Sequence, residues 1–278
     1  MNKFVHGSII EDLLNKTKEG KIRLYLNEIN IQYKKWNRGN LAIKNNSKDD
    51  IKQKVDLYNE YYKTIFNEKY IRKNKHNRDG FSMNHPIFKT VLTEFCYYVF
   101  KDITIIKNGS LILGYRNPLV KISIEYNQVI GIGQEKILHF IYTDENLLIG
   151  TNYELQYKAE ENMVWCKEKI FVPVVIIAPY QVLTNNILSQ SIVVTKEIKN
   201  LFPNCLYIIV CETSNNDFKP NLNFASIDNI FVLRKQVGDI ATNPVYTDIV
   251  WKMYQVVSDF LTCEKENYKS MITKGILK

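Results

Sequence analysis

An α/β architecture, in which a helical N-terminal part precedes a mixed sheet flanked by helices, follows from three features of the 278-residue sequence. Apolar residues recur at helical spacing through most of the first third. From residue 111 onward the period changes to two, the mark of half-buried strands. Two strand patterns, VWCKEKIFVPVVII at 164–177, which ends in a continuous apolar run, and the apolar CLYIIVCE at 205–212, flank a helical pattern, which predicts a βαβ unit with a right-handed crossover.

The elements follow in order. Residues 9–37 read as a helix carrying Ile10, Leu13, Leu14, Leu24, Tyr25, Ile29 and Tyr33 on one side, with Gly20 as an interruption. A second helix over 49–66 has Ser47 as its cap and Ile51, Val55, Tyr58, Tyr62 and Phe66 as its stripe. KYIRKNKHNRDG, 69–80, places six Lys, Arg or His in twelve positions with almost nothing to bury, and reads as a loop or arm. Pro86 opens a third helix lined by Ile87, Val91, Leu92, Phe95, Tyr98 and Val99. Strands are predicted at 111–115, 120–126, 137–142, 164–177, 205–212 and 229–236, with a helix over 188–202. A closing helix runs from about Asn243 or Pro244 to Leu261 and should bury Val245, Ile249, Met253, Val256 and Phe260. The division expected is a helical region, 1–80, and a sheet-containing domain, 81–278.

With 45% hydrophobic residues the chain can bury a sizeable core. Its five cysteines lie far apart with no CxxC, so neither a disulfide framework nor a zinc site is suggested. No apolar run reaches the 18 or more residues of a membrane span, and MNKFVHGSIIEDLL lacks the apolar core of a signal peptide. A soluble cytoplasmic protein is expected. The net charge of +8 and pI near 9.0 suit a polyanionic partner, though a composition rich in Lys and Asn gives the same excess.

Short motifs say little. GIGQEK, 131–136, lacks the third glycine of a nucleotide loop and reads as a turn between strands. His6, His76, His85 and His139 show no metal spacing, and His139 is expected to pack inside its strand. Ser191 and Ser214 sit in no GxSxG context.

The order of elements is more informative. A helix carrying Glu94, then strands, a long central strand, a crossover helix and another central strand is the order of the PD-(D/E)xK nuclease fold. There an Asp at one strand end and an Asp or Glu at the next hold Mg²⁺, and a Lys orients or activates water. Carboxylate and lysine are two apart because alternate strand residues face one side. FVPVVIIAPYQVL, TKEIKNLFPNCLYIIVCE, IDNIFVLRKQ and DIVWKMYQVVSDFL resemble the last third of the BbvCI family of heterodimeric type II restriction endonucleases. VHG at 5–7, YKKW at 33–36, YNEYYKTIF at 58–66 and PIFKTVLTEFCYYVF at 86–100 fit too, in order. The resemblance implies a restriction-endonuclease-like mixed sheet, double-stranded DNA as ligand, and a related subunit, or a second copy, as partner. Each subunit of such enzymes cuts one strand with its own D…ExK centre and Mg²⁺.

The chain departs from that pattern at the centre itself. Where the family has Glu-Cys-Lys, it has Ala178, Pro179 and Tyr180; where the family has the metal-binding Asp, in ENLLIG, it has Asn146. The resemblance then implies a pseudoenzyme that needs no cofactor, with Mg²⁺ confined to an active partner. The alternative is an active endonuclease that holds Mg²⁺ through relocated carboxylates, with Glu94, Asp144 and Glu212 as candidates. Asp144 faces the side of Asn146 but lies about 6.6 Å along the strand, far for a ligand bond of about 2.1 Å. For DNA, Arg72, Lys73, Lys75 and Arg78 are candidate phosphate contacts, and Arg234 and Lys235 candidate base contacts; a solvated loop is the other reading of 69–80.

Overall fold

The computed structural model describes residues 4–72, 80–83, 85–127, 135–143, 146–158, 165–219, 226–238 and 241–273. The first helical stretch is two helices, α1 (Val5–Lys16) and α2 (Lys21–Ala42), broken at Gly20, whose φ of 98° suits a residue without Cβ. Helix α3 (Lys48–Ile65) begins at a reciprocal cap. Asp50 N donates to the Ser47 hydroxyl at 3.1 Å and Ser47 N donates to the Asp50 carboxylate at 2.9 Å. In α4 (Pro86–Phe100) proline occupies the first turn, where its missing N–H leaves no bond unmade, and a short α5 (Thr104–Lys107) follows.

Five strands form a mixed sheet in the order β1 (Ile112–Arg116), β4 (Asn146–Lys158), β5 (Trp165–Leu183), β6 (Leu206–Ser214), β7 (Asn229–Val232). The pairs β1–β4 and β4–β5 are antiparallel, and β5–β6 and β6–β7 are parallel. Helix α6 (Asn185–Leu201) makes the predicted crossover between β5 and β6, and α7 (Thr247–Thr273) closes the fold. Strands β2 (Leu119–Asn127) and β3 (Glu135–Tyr142) pair with each other as a separate antiparallel ribbon inserted between β1 and β4. The turn expected at GIGQEK falls largely at 131–134, outside the described residues.

Strand β5 carries two prolines, and neither interrupts a complete ladder. Pro173 lies opposite Gly150, where the β4–β5 register shifts. A Cβ on Gly150 would stand 2.1 Å from the Val172 carbonyl oxygen, so only glycine admits the close approach. Pro179 lies beyond Ile177, the last β5 residue paired with β4, where β6 alone flanks the strand.

The sheet has two buried faces. Leu147, Ile149, Val175, Ile177, Leu206, Ile208 and Val210 join one core with α1–α4 and α7, which therefore draws on residues from both sides of position 80. Leu148, Ile176, Ala178, Ile209 and Cys211 pack beneath α6 with Leu188, Ile198 and Val120. Two expectations need correction. The buried stripe of α7 is Val250, Met253, Val257 and Leu261, one residue round from the predicted set, whose Ile249, Val256 and Phe260 are only partly buried. His139 is exposed, because its strand belongs to the two-stranded ribbon and not to the five-stranded sheet.

Candidate functional site

The alternation of side chains along β5 brings Ala178 and Tyr180 to one face, beside the start of β4. Leu147 pairs with Ile177 and Leu148 with Ile176, so the antiparallel register carries Asn146 alongside Ala178. Across the sheet Ala178 pairs with Ile209 and Tyr180 with Cys211, both on the α6 side. Asn146, Ala178 and Tyr180 therefore share the face beneath α6. Ala178 is fully buried and Asn146 is 8% exposed. The half-buried Tyr180 reaches α6, its Oη lying 3.5 Å from Ser191 Oγ. Ser191 and Thr195 also meet the Tyr207 hydroxyl, whose pKa burial pushes up. An amide, a methyl group and a phenol thus occupy these strand ends, and all are neutral. A divalent ion that demands anionic oxygens does not fit this set. Among the described residues no group of three His, Cys, Asp or Glu is arranged to hold a metal.

Of the carboxylates proposed as substitutes, Glu94 and Glu212 are not brought to this face. Glu94, on α4, is fully buried among α1, α2 and α4. It accepts from His6 N at 3.0 Å, Gly7 N at 3.2 Å, Tyr33 Oη at 3.0 Å and Tyr98 Oη at 2.5 Å. It caps the first turn of α1, whose amides have no partner within the helix. Burial pushes its carboxyl above the usual range, against the downward pull of the four hydrogen bonds. Beside it the buried His6 has its pKa depressed to about 3 by desolvation. Thr90 Oγ1 donates to the Pro86 carbonyl at 2.9 Å, so it accepts from His6 Nδ1–H at 3.0 Å. That tautomer leaves Nε2 to accept from Tyr61 Oη at 2.6 Å. The VHG stretch is thus the entry to α1, packed so closely that a Cβ on Gly7 would stand 2.2 Å from Tyr33 Oη.

Glu212, on β6, points to the helical side of the sheet with its neighbours Ile208 and Val210. It accepts from Tyr58 Oη and, at 3.3 Å, from Arg234 Nε. Arg234 is 2% exposed, lies 3.9 Å from the Tyr62 ring centroid, and donates to the Asn243 carbonyl. Burial opposes its charge, but Glu212 and the tyrosines hold its pKa above the ordinary value. This expected base contact is therefore enclosed within the chain. Lys235 is exposed and pairs with Asp248 at 2.6 Å over the Tyr246 ring.

In the basic segment Arg72 is exposed, while Lys73, Lys75 and Arg78 lie outside the described residues, as does Asp144. The ends of the segment are pinned. Arg72 N donates to the Phe81 carbonyl at 2.9 Å and Phe81 N to the Tyr70 carbonyl at 2.7 Å. Tyr70 is buried and bonds Glu28 at 2.8 Å, contrary to the expectation that almost nothing here is buried. The sequence pattern alone does not assign the tyrosines that serve Glu94 and Glu212 as polar partners. Their signal was present: Tyr58, Tyr61 and Tyr62 cannot all turn to solvent from the buried face of α3, so their hydroxyls need acceptors.

No family model matches the chain, and no curated protein matches it. Among solved structures it is similar to one described as the native BbvCI A2B2 tetramer at low resolution. The TM-score is 0.68 at 15% identity, over 93% of this chain and 96% of that one. A likeness at that identity is one of fold: the chain has the mixed α/β architecture of that restriction endonuclease.

Proposed function

We propose that this chain is a subunit of a type II restriction endonuclease system, binding double-stranded DNA site-specifically as a catalytically degenerate partner of an active, related subunit. The observation that carries the proposal is the meeting of Asn146, Ala178 and Tyr180 on one sheet face at the ends of β4 and β5. In the family the sequence resembles, those positions hold the two carboxylates and the lysine. The A2B2 composition of the similar structure supports a partner that is a related subunit. The net charge of +8 supports a polyanionic ligand. Magnesium then belongs to the partner's centre, and the cytoplasm is the compartment in which such a system meets DNA. The reading of an active enzyme with relocated carboxylates loses support from Glu94 and Glu212, which are committed on the other side of the sheet.

The test is a nicking assay on supercoiled plasmid with the purified chain. With Mg²⁺ or Mn²⁺ it should produce neither nicked nor linear DNA, yet retard a duplex at low salt. Metal-dependent nicking that co-purifies with the chain would overturn the proposal.

A further inference from the structure

We infer that the β2–β3 ribbon is the element that reads base sequence, laying its exposed face in the major groove of double-stranded DNA. This rests on the DNA-binding reading above and names the segment that would give it specificity. The ribbon leaves the sheet between Arg116 and Asn146, which pair directly across β1 and β4, so it starts at the strand ends that carry the candidate site. Its root is fixed. Asn117 Nδ2 donates to the Thr143 carbonyl at 2.7 Å, Thr143 N donates to the Pro118 carbonyl at 3.0 Å, and Val120 is buried beneath α6. Register pairs Lys121 with Ile141 and Ser123 with His139, which sets these four side chains on one face. Lys121, His139 and Ile141 are exposed there.

Their chemistry suits base edges. Lysine donates to the guanine acceptors, a hydroxyl and an imidazole donate and accept, and an aliphatic group packs against the thymine methyl. Further along the ribbon the register sets Glu125 opposite Ile137, and a carboxylate accepts from the cytosine amino group. A two-stranded antiparallel ribbon fits the width of the major groove. Nine extended residues in β2 span roughly 30 Å, comparable to one turn of duplex, so the bases read would lie within about a turn of a phosphate at the strand ends. Arg234, by contrast, is enclosed.

The experiment is selection from a pool of randomised duplexes by the full chain, beside a Lys121→Ala/His139→Ala/Ile141→Ala variant. The wild type should enrich a motif. The variant should keep its affinity for random duplex at low salt to within a few-fold, yet lose tenfold or more of the discrimination between the enriched duplex and a scrambled one. An unchanged motif with unchanged discrimination would overturn the ribbon's role. So would a change in oligomeric mass without a change in discrimination, which would make the ribbon a protein interface. A wild type that holds duplex without enriching a motif would overturn it too. A wild type that holds no duplex at all would overturn the DNA-binding reading itself.

Discussion

His6 is buried without charge, and that has a consequence for stability. Its folded pKa of about 3 lies below the ordinary histidine value near 6.5, so between those values the unfolded chain binds more protons than the folded one. The stabilisation is complete above pH 6.5 and is lost as pH falls toward 3. Between pH 7 and 5, urea unfolding should show a component approaching about 1.4 kcal/mol per pH unit that is missing in His6→Gln. Glu94 is common to both proteins and titrates in the opposite sense, since its folded pKa is raised; the difference between the two slopes isolates His6. Equal slopes would mean that His6 is not held neutral. The sequence marked Glu94 as a carboxylate of interest but not its role, because its donors come from residues 6, 7, 33 and 98 and converge only in the fold.

Glu212 ties elements together. Through Tyr58 and Arg234 it joins α3 to β6 and to the end of β7, and Asn59 of α3 exchanges two hydrogen bonds with Val245 just before α7. Replacing Glu212 with Ala leaves a guanidinium and a hydroxyl buried without their acceptor, which should cost about 3–5 kcal/mol. Tyr58→Phe should cost only about 1 kcal/mol. Chemical denaturation measures both, and a Glu212→Ala change under 1 kcal/mol would contradict the pairing. Elements with local signals were legible: the Ser47 cap, Pro86 at the head of α4, the β5–α6–β6 crossover. Those whose signal is tertiary were not. Strand β4 extends over 13 residues without a strand signal along its length, because its far half, TNYELQYK, pairs with β5 away from the core and lacks a buried run. Strand β5 continues past 177 through Pro179 because β4 ends there and asks nothing of the missing N–H.

For the molecule as a whole, electrostatics and the strand-end centre make separate predictions. Duplex affinity should fall with salt at a log-log slope of about −0.9 per phosphate contacted. Neutralising Arg72, Lys73, Lys75 and Arg78 together should shallow that slope if the basic segment grips the backbone. An unchanged slope assigns the contacts to other lysines and leaves 69–80 a solvated loop. The centre was readable as three substitutions in the sequence; that they share a face under α6, with Tyr180 turned to Ser191, required the register of β4 against β5. That register makes the restoration explicit: Asn146→Asp, Ala178→Glu and Tyr180→Lys together should rebuild an anionic pocket with its lysine. Each change alone should do little, since one carboxylate gives a weak site. Titration calorimetry with Mn²⁺ decides the matter most directly. Negligible heat from the wild type and saturable binding by the triple variant are predicted; equal heats from the two, whether negligible or large, would contradict the assignment of these strand ends as a neutralised nuclease centre.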